Sequence, residues 1–73
     1  MATARETVLK RFGKRIRQVR KGKGVTQEAL ANSAGIDRAY MSGIELGRHN
    51  PGIFHVYKIA RALKVSPKEL LPE

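Results

Sequence analysis

Apolar positions along the chain recur every three or four residues rather than every second one, so the elements they predict are helices. Val8, Leu9, Phe12, Ile16 and Val19 trace one face from about Arg5 to Lys21, and basic side chains fill the other faces of this amphipathic first helix. Gly22 and Gly24 break the pattern. Thr26 then stands where its side-chain oxygen can accept from the free N–H groups that open a second helix, Gln27 to Ala34, with Glu28 on the favourable side of the helix dipole. That helix is short and rich in small residues (Ala29, Ala31, Ala34), and Gly35 can take the left-handed conformation that ends it. Asp37 caps a third helix reaching about Leu46, with Met41 and Ile44 directed inward and Gly47 as its stop. After a loop from Arg48 to Gly52 comes a fourth helix, Ile53 to Leu63, whose expected buried stripe is Ile53, Val56, Ala60 and Leu63. Ser66, Pro67, Lys68 and Glu69 form a capping box with proline at the first helical position, and Val65 can staple onto Leu70. A fifth, one-turn helix is therefore expected to close an all-α domain spanning residues 1–73.

Only Gly35 and Ile36 separate the second helix from the cap of the third. With Gln27 as the first position of a unit ending at Leu46, the residues Leu30, Ala31, Ala34, Gly35, Ile36, Met41 and Ile44 fall where a helix-turn-helix needs small, turning and apolar groups. Each has a steric reason: Ala31 is small where two helices cross, Gly35 permits the tight turn, and Met41 and Ile44 hold the third helix onto the second.

Composition narrows the chemistry. The 73 residues suffice for one domain, near the lower size limit for a core without covalent staples. There is no cysteine, and His49 and His55 lie without carboxylate neighbours at ligand spacing, so neither a metal nor another cofactor is expected. Fifteen Lys and Arg against six Asp and Glu give a net charge of +9, which favours polyanions. Residues 1–24 hold nine basic side chains and one acid, so the positive field is concentrated in the first third. No apolar run is long enough to span a bilayer and no secretory-type segment opens the chain, so a cytoplasmic protein without membrane contact is expected.

The segments VTQEALANSAGI, DRAYMSGIELGRHNP and KIARALKVSPKELL, in order and with unbroken spacing, resemble the pattern of lambda-type phage repressors and the wider Xre-like regulators. The stretch DRAYMSGIE is particularly similar to controller proteins of restriction-modification systems. The resemblance implies a five-helix, lambda-repressor-like domain whose third helix, 37–46, docks in the major groove with its N-terminal residues at base edges. Arg38 then becomes the main base-reading candidate, since a guanidinium can bond O6 and N7 of guanine together. Ala39 and Ser42 face the same groove, Ala39 being limited to a thymine methyl. Tyr40 either contacts sugar or phosphate or lies over the core edge. Gly43 stands where some phage repressors carry a long polar side chain, and serves either close approach to DNA or relief of crowding between helices.

For the DNA backbone, the resemblance places Thr26 and Gln27 at one phosphate through the start of the second helix, and Arg48, His49 and Asn50 at another. Arg20 and Glu45 occupy positions that often form a partly buried ion pair. The remaining basic face (Lys10, Arg11, Lys14, Arg15, Arg17, Lys21, Lys23) either approaches the DNA backbone or is an ordinary solvated face. Leu46, where an arginine is frequent, and Phe54, Leu70 and Leu71 are expected as exposed apolar groups that either form a two-fold interface or are scattered surface hydrophobes. A homodimer on a palindromic operator follows, with RNA polymerase as a further candidate partner.

The sequence therefore indicates a sequence-specific regulator of transcription acting on double-stranded DNA. An antitoxin, or an adaptor bridging RNA or protein with the same fold, is the competing reading. An enzyme is not expected, because no paired carboxylates, activated nucleophile or phosphate-cradling glycine loop is present.

Overall fold

A computed structural model describes residues 3–72, and α1 covers Ala4–Gly22, α2 Gln27–Ala34, α3 Arg38–Glu45 and α4 Ile53–Leu63, with no strand among those residues. Local chemistry sets the starts. Thr26 Oγ1 accepts from Ala29 N at 3.0 Å, and an Asp37 carboxylate oxygen accepts from Tyr40 N at 3.2 Å, so each cap satisfies a donor that the helix leaves free. Between α2 and α3, Gly35 adopts φ +65°, and Ile36 N–H closes the turn onto Ala31 O at 2.9 Å.

The expected fifth helix is corrected by the structure. Pro67–Glu69 form a single 3-10 turn, so the domain has four α-helices and this terminal turn. Glu69 does accept from Ser66 N at 2.8 Å, but only three residues follow the cap before the helical conformation ends, too few for a sustained i to i−4 ladder.

The core is one cluster built from Phe12 and Ile16 of α1, Leu30, Ala31 and Ala34 of α2, Ile36, Met41 and Ile44 of α3 and its approach, Val56, Ile59, Ala60 and Leu63 of α4, and Leu70. Three apolar residues depart from their expected places. Leu70, expected at the surface as an interface candidate, is fully buried, because the terminal turn folds it back onto α4 and into the core. Ile53 is 68% exposed: it lies at the open end of α4, where the buried Pro51 closes the core, and Ile59 joins the buried face instead. Val8 is also exposed, toward the free end of the long α1.

Packing fixes where α3 sits. α1 crosses α3, and α2 packs on both α3 and α4. The crossing of α1 on α3 requires Gly13. A Cβ there would overlap the carbonyl oxygens of Ile44 and Glu45, so only a residue without a side chain lets the backbones approach so closely. No helix is long and apolar enough to cross a membrane.

Candidate nucleic-acid interface

The helix presenting Arg38, Ala39 and Ser42 is held by a buried electrostatic tie at its last turn. Arg20 of α1 meets Glu45 in a two-pronged pair, Nε to Oε2 at 2.8 Å and Nη2 to Oε1 at 3.0 Å. The remaining guanidinium nitrogen, Nη1, donates to Val25 O at 3.0 Å, and Gln27 Nε2 donates to Glu45 Oε1 at 3.2 Å. Both ionised groups are buried, and each is satisfied within the network. The hydrogen bond to Glu45 raises the pKa of Arg20 above the ordinary arginine range, against the opposing effect of burial, and the Glu45 charge adds to the rise. The arrangement thus bolts the end of α3 to both α1 and the start of α2.

Forward of this tie, the exposed face of α3 carries the base-reading candidates. Arg38 and Ala39 are solvent-exposed and Ser42 is half-buried. Arg38 Nη1 lies 3.5 Å from Glu28 Oε2, with both side chains mostly in solvent. Such an exposed pair is worth at most about 1 kcal/mol, so Arg38 is readily released toward another partner. Thr26 is exposed at the start of α2, beside Gln27, whose side chain is turned back to Glu45 while its backbone stays in the first turn.

Arg17 is a residue that the sequence left among an undifferentiated basic face. It shares an open cleft with Arg20, Gln27, Ser42, Glu45 and Leu46, between α1, α2 and α3. Because Arg20 and Glu45 neutralise one another at its floor, Arg17 supplies the net charge of the cleft. A three-residue spacing from Arg20 was the available signal, but it places a side chain near α3 only once the crossing angle of α1 is known.

The loop after α3 is also built rather than loose. Arg48 N–H donates to Gly43 O at 2.8 Å, and Pro51 is buried, so the exposed residues Arg48, His49 and Asn50 are carried between two fixed points. Tyr40 is half-buried against the core edge, and its ring stacks on His49 with centroids 4.7 Å apart and planes at 15°; His55 meets it at 5.6 Å, tilted. The crowding at Gly43 comes from this loop and not from a neighbouring helix, because a Cβ at Gly43 would overlap the His49 imidazole.

Elsewhere, Ile53, Phe54 and Tyr57 expose apolar surface on the outer side of α4, with Leu46 and Leu71 exposed apart from them. Among the described residues no group of His, Asp or Glu is arranged to hold a metal ion.

Comparison with known proteins finds relatives over most of the chain. The model of the helix-turn-helix domain family matches residues 13–72. The control protein C.BamHI of Bacillus amyloliquefaciens is 43% identical over 61 residues, covering 82% of this chain and 75% of that protein. The transcriptional regulator SinR of Bacillus subtilis is 42% identical over 63 residues, covering 85% of this chain and 57% of its own length. Among solved structures, the restriction-modification controller protein C.AhdI of Aeromonas hydrophila superposes with a TM-score of 0.85 at 43% identity, covering 86% of this chain and 96% of the other.

Proposed function

The chain belongs to the helix-turn-helix domain family, and on that premise we propose that it is a sequence-specific regulator of transcription that binds double-stranded DNA as a homodimer. The observation that carries the reading is the rigid mounting of α3: its last turn is bolted by Arg20, Gln27 and Glu45, while its first turn holds Arg38 and Ala39 in solvent, with Ser42 half-buried beside the tie. In the groove, Arg38 leaves Glu28 for guanine O6 and N7, Ala39 contacts a thymine methyl, and Ser42 bonds a base edge. The first turn of α2 at Thr26 and Gln27 takes one phosphate with its backbone N–H groups, joined by Arg17 from the adjoining cleft. Arg48 and Asn50, on the braced loop, take another. These phosphate contacts orient the domain, and the base contacts discriminate.

The full chain is tested by selecting duplexes from a randomised pool. Wild type is expected to enrich an inverted repeat with half-sites about one helical turn apart, and failure to enrich any motif would reject sequence-specific reading. Arg38→Ala is expected to keep its helical circular dichroism while losing discrimination worth about 1–3 kcal/mol at one base pair in each half-site. An unchanged motif would show that Arg38 does not read sequence.

The dimer surface is centred on Ile53, Phe54 and Tyr57 of α4 and excludes Leu70, which belongs to the core. On a chain of charge +9, two copies repel, so association must rest on burying such an apolar patch, with Lys58 and Arg61 at its edge. Phe54 is 71% exposed and carries no core packing, so Phe54→Glu should leave the fold intact. It is expected to weaken self-association by about tenfold or more in sedimentation, since it removes the aromatic ring that the interface would bury and leaves a carboxylate paired with Lys58 in its place. An unaltered dimer would place the interface elsewhere.

A further inference from the structure

Position 43 is a blank on the recognition helix, and the structure fills it from outside the helix. Ala39 and Gly43, four residues apart, share one side of α3, so neither offers a polar group to DNA from that side. Over Gly43 lies the imidazole of His49, close enough that any Cβ at position 43 would collide with its Cδ2 and Nε2. Three features hold the ring there. The hydrogen bond from Arg48 N–H to Gly43 O, 2.8 Å long, draws the loop onto the helix one residue before His49. Tyr40, on the preceding turn of α3, stacks nearly parallel against the ring. The buried Pro51 fixes the chain two residues later. Although its Cδ2–Nε2 edge lies over Gly43, His49 as a residue remains exposed, so the ring is accessible to a ligand.

We propose that His49 acts as the side chain that α3 lacks at Gly43, a base-reading imidazole supplied by the loop and directed at a purine edge in the major groove. Glycine at 43 is then a requirement of the reading head, since it makes the seat in which the ring lies. Tyr40 is the positioning residue behind it. An imidazole N–H donates to purine N7 or guanine O6, both acceptors on the major-groove edge. The stacked, braced ring loses little rotamer freedom when it binds, which a long flexible side chain in the same place would lose. This assignment rests on the docking of α3 in the groove, and it separates His49 from its loop neighbours Arg48 and Asn50, which contact phosphate.

The experiment is the same duplex selection, carried out with full-length wild type, His49→Ala, Gly43→Ala and the double variant. His49→Ala is expected to lose about tenfold of the preference at one base pair per half-site, a different pair from the one lost in Arg38→Ala, while the slope of affinity against salt stays as in wild type. Gly43→Ala unseats the ring and should lose the same preference. The double variant should lose no more than either single variant, because the two residues form one unit. Should Gly43→Ala fold poorly, the double variant relieves the overlap and His49→Ala avoids it, so the readout survives. A motif unchanged in His49→Ala, with affinity lowered equally for all duplexes and a shallower salt slope, would make His49 a phosphate contact and overturn the proposal. If wild type itself enriches no motif, the groove-docking reading falls, and this inference with it.

Discussion

Glu45→Ala is expected to destabilise the domain by about 3–5 kcal/mol in urea denaturation, because it strands the buried charge of Arg20. Arg20 spends two of its donors on Glu45 and one on Val25 O, and only 7% of its surface is exposed. Removing the carboxylate leaves a largely buried guanidinium with the Val25 carbonyl as its one remaining protein acceptor, and Gln27 loses its acceptor as well. For a chain of this size total stability is roughly 4–11 kcal/mol, so the variant should be marginal at 37 °C. The diagnostic comparison is Arg20→Met combined with Glu45→Leu, which removes both charges and is expected to recover most of the loss. A single-variant cost below about 1 kcal/mol would mean that the pair is far more hydrated than the geometry indicates. Arg20 contributes no pH dependence near neutrality. Its pKa is raised on folding, so that stabilisation is complete below the ordinary arginine range and is lost only above it.

What the sequence disclosed and what it withheld divide along a physical line. Caps and turns are local, so Thr26, Gly35, Asp37 and Ser66 announced α2, α3 and the terminal turn from side-chain chemistry within three residues. The bond between Arg20 and Glu45 spans 25 positions, and it was legible only through a family pattern, since nothing near either residue implies the other. Burial at the ends of elements escapes the sequence for a related reason. Periodicity fixes which side of a helix faces inward, but whether Ile53, Val8 or Leu70 lies beneath a neighbour depends on where the other elements stop. Gly13 is not legible in the sequence, because a glycine inside a basic amphipathic helix has no local signature of the carbonyls pressed against it. Gly43 and His49 are each legible alone, one as a blank on α3 and the other as part of a polar loop. Only the fold of that loop back onto α3 makes them a single feature.

The second large effect should appear in the response to salt. If Arg17, Arg38 and Arg48 all engage the DNA, a dimer places four to six cations at the duplex, the lower count applying if only Arg17 and Arg48 displace counterions. Each neutralised phosphate contributes about 0.9 to the slope of log affinity against log salt, giving a total of roughly −4 to −5. Between about 50 mM and about 200 mM salt, affinity for the selected duplex should therefore fall by about 10²–10³ in fluorescence anisotropy titrations. Arg17→Gln gives this count its internal check, because Arg17 is the one cation of its cleft not already neutralised by a carboxylate. Losing it from both protomers should flatten the slope by about two and weaken binding to every duplex by a similar factor, leaving the selected motif unchanged. Arg38→Ala should do the reverse in emphasis, altering the motif more than the slope. A flat salt response in wild type would contradict phosphate engagement altogether. A normal slope retained in Arg17→Gln would instead leave the cleft as solvated surface, and the backbone contacts would then have to come from α2 and the loop at Arg48 to Asn50.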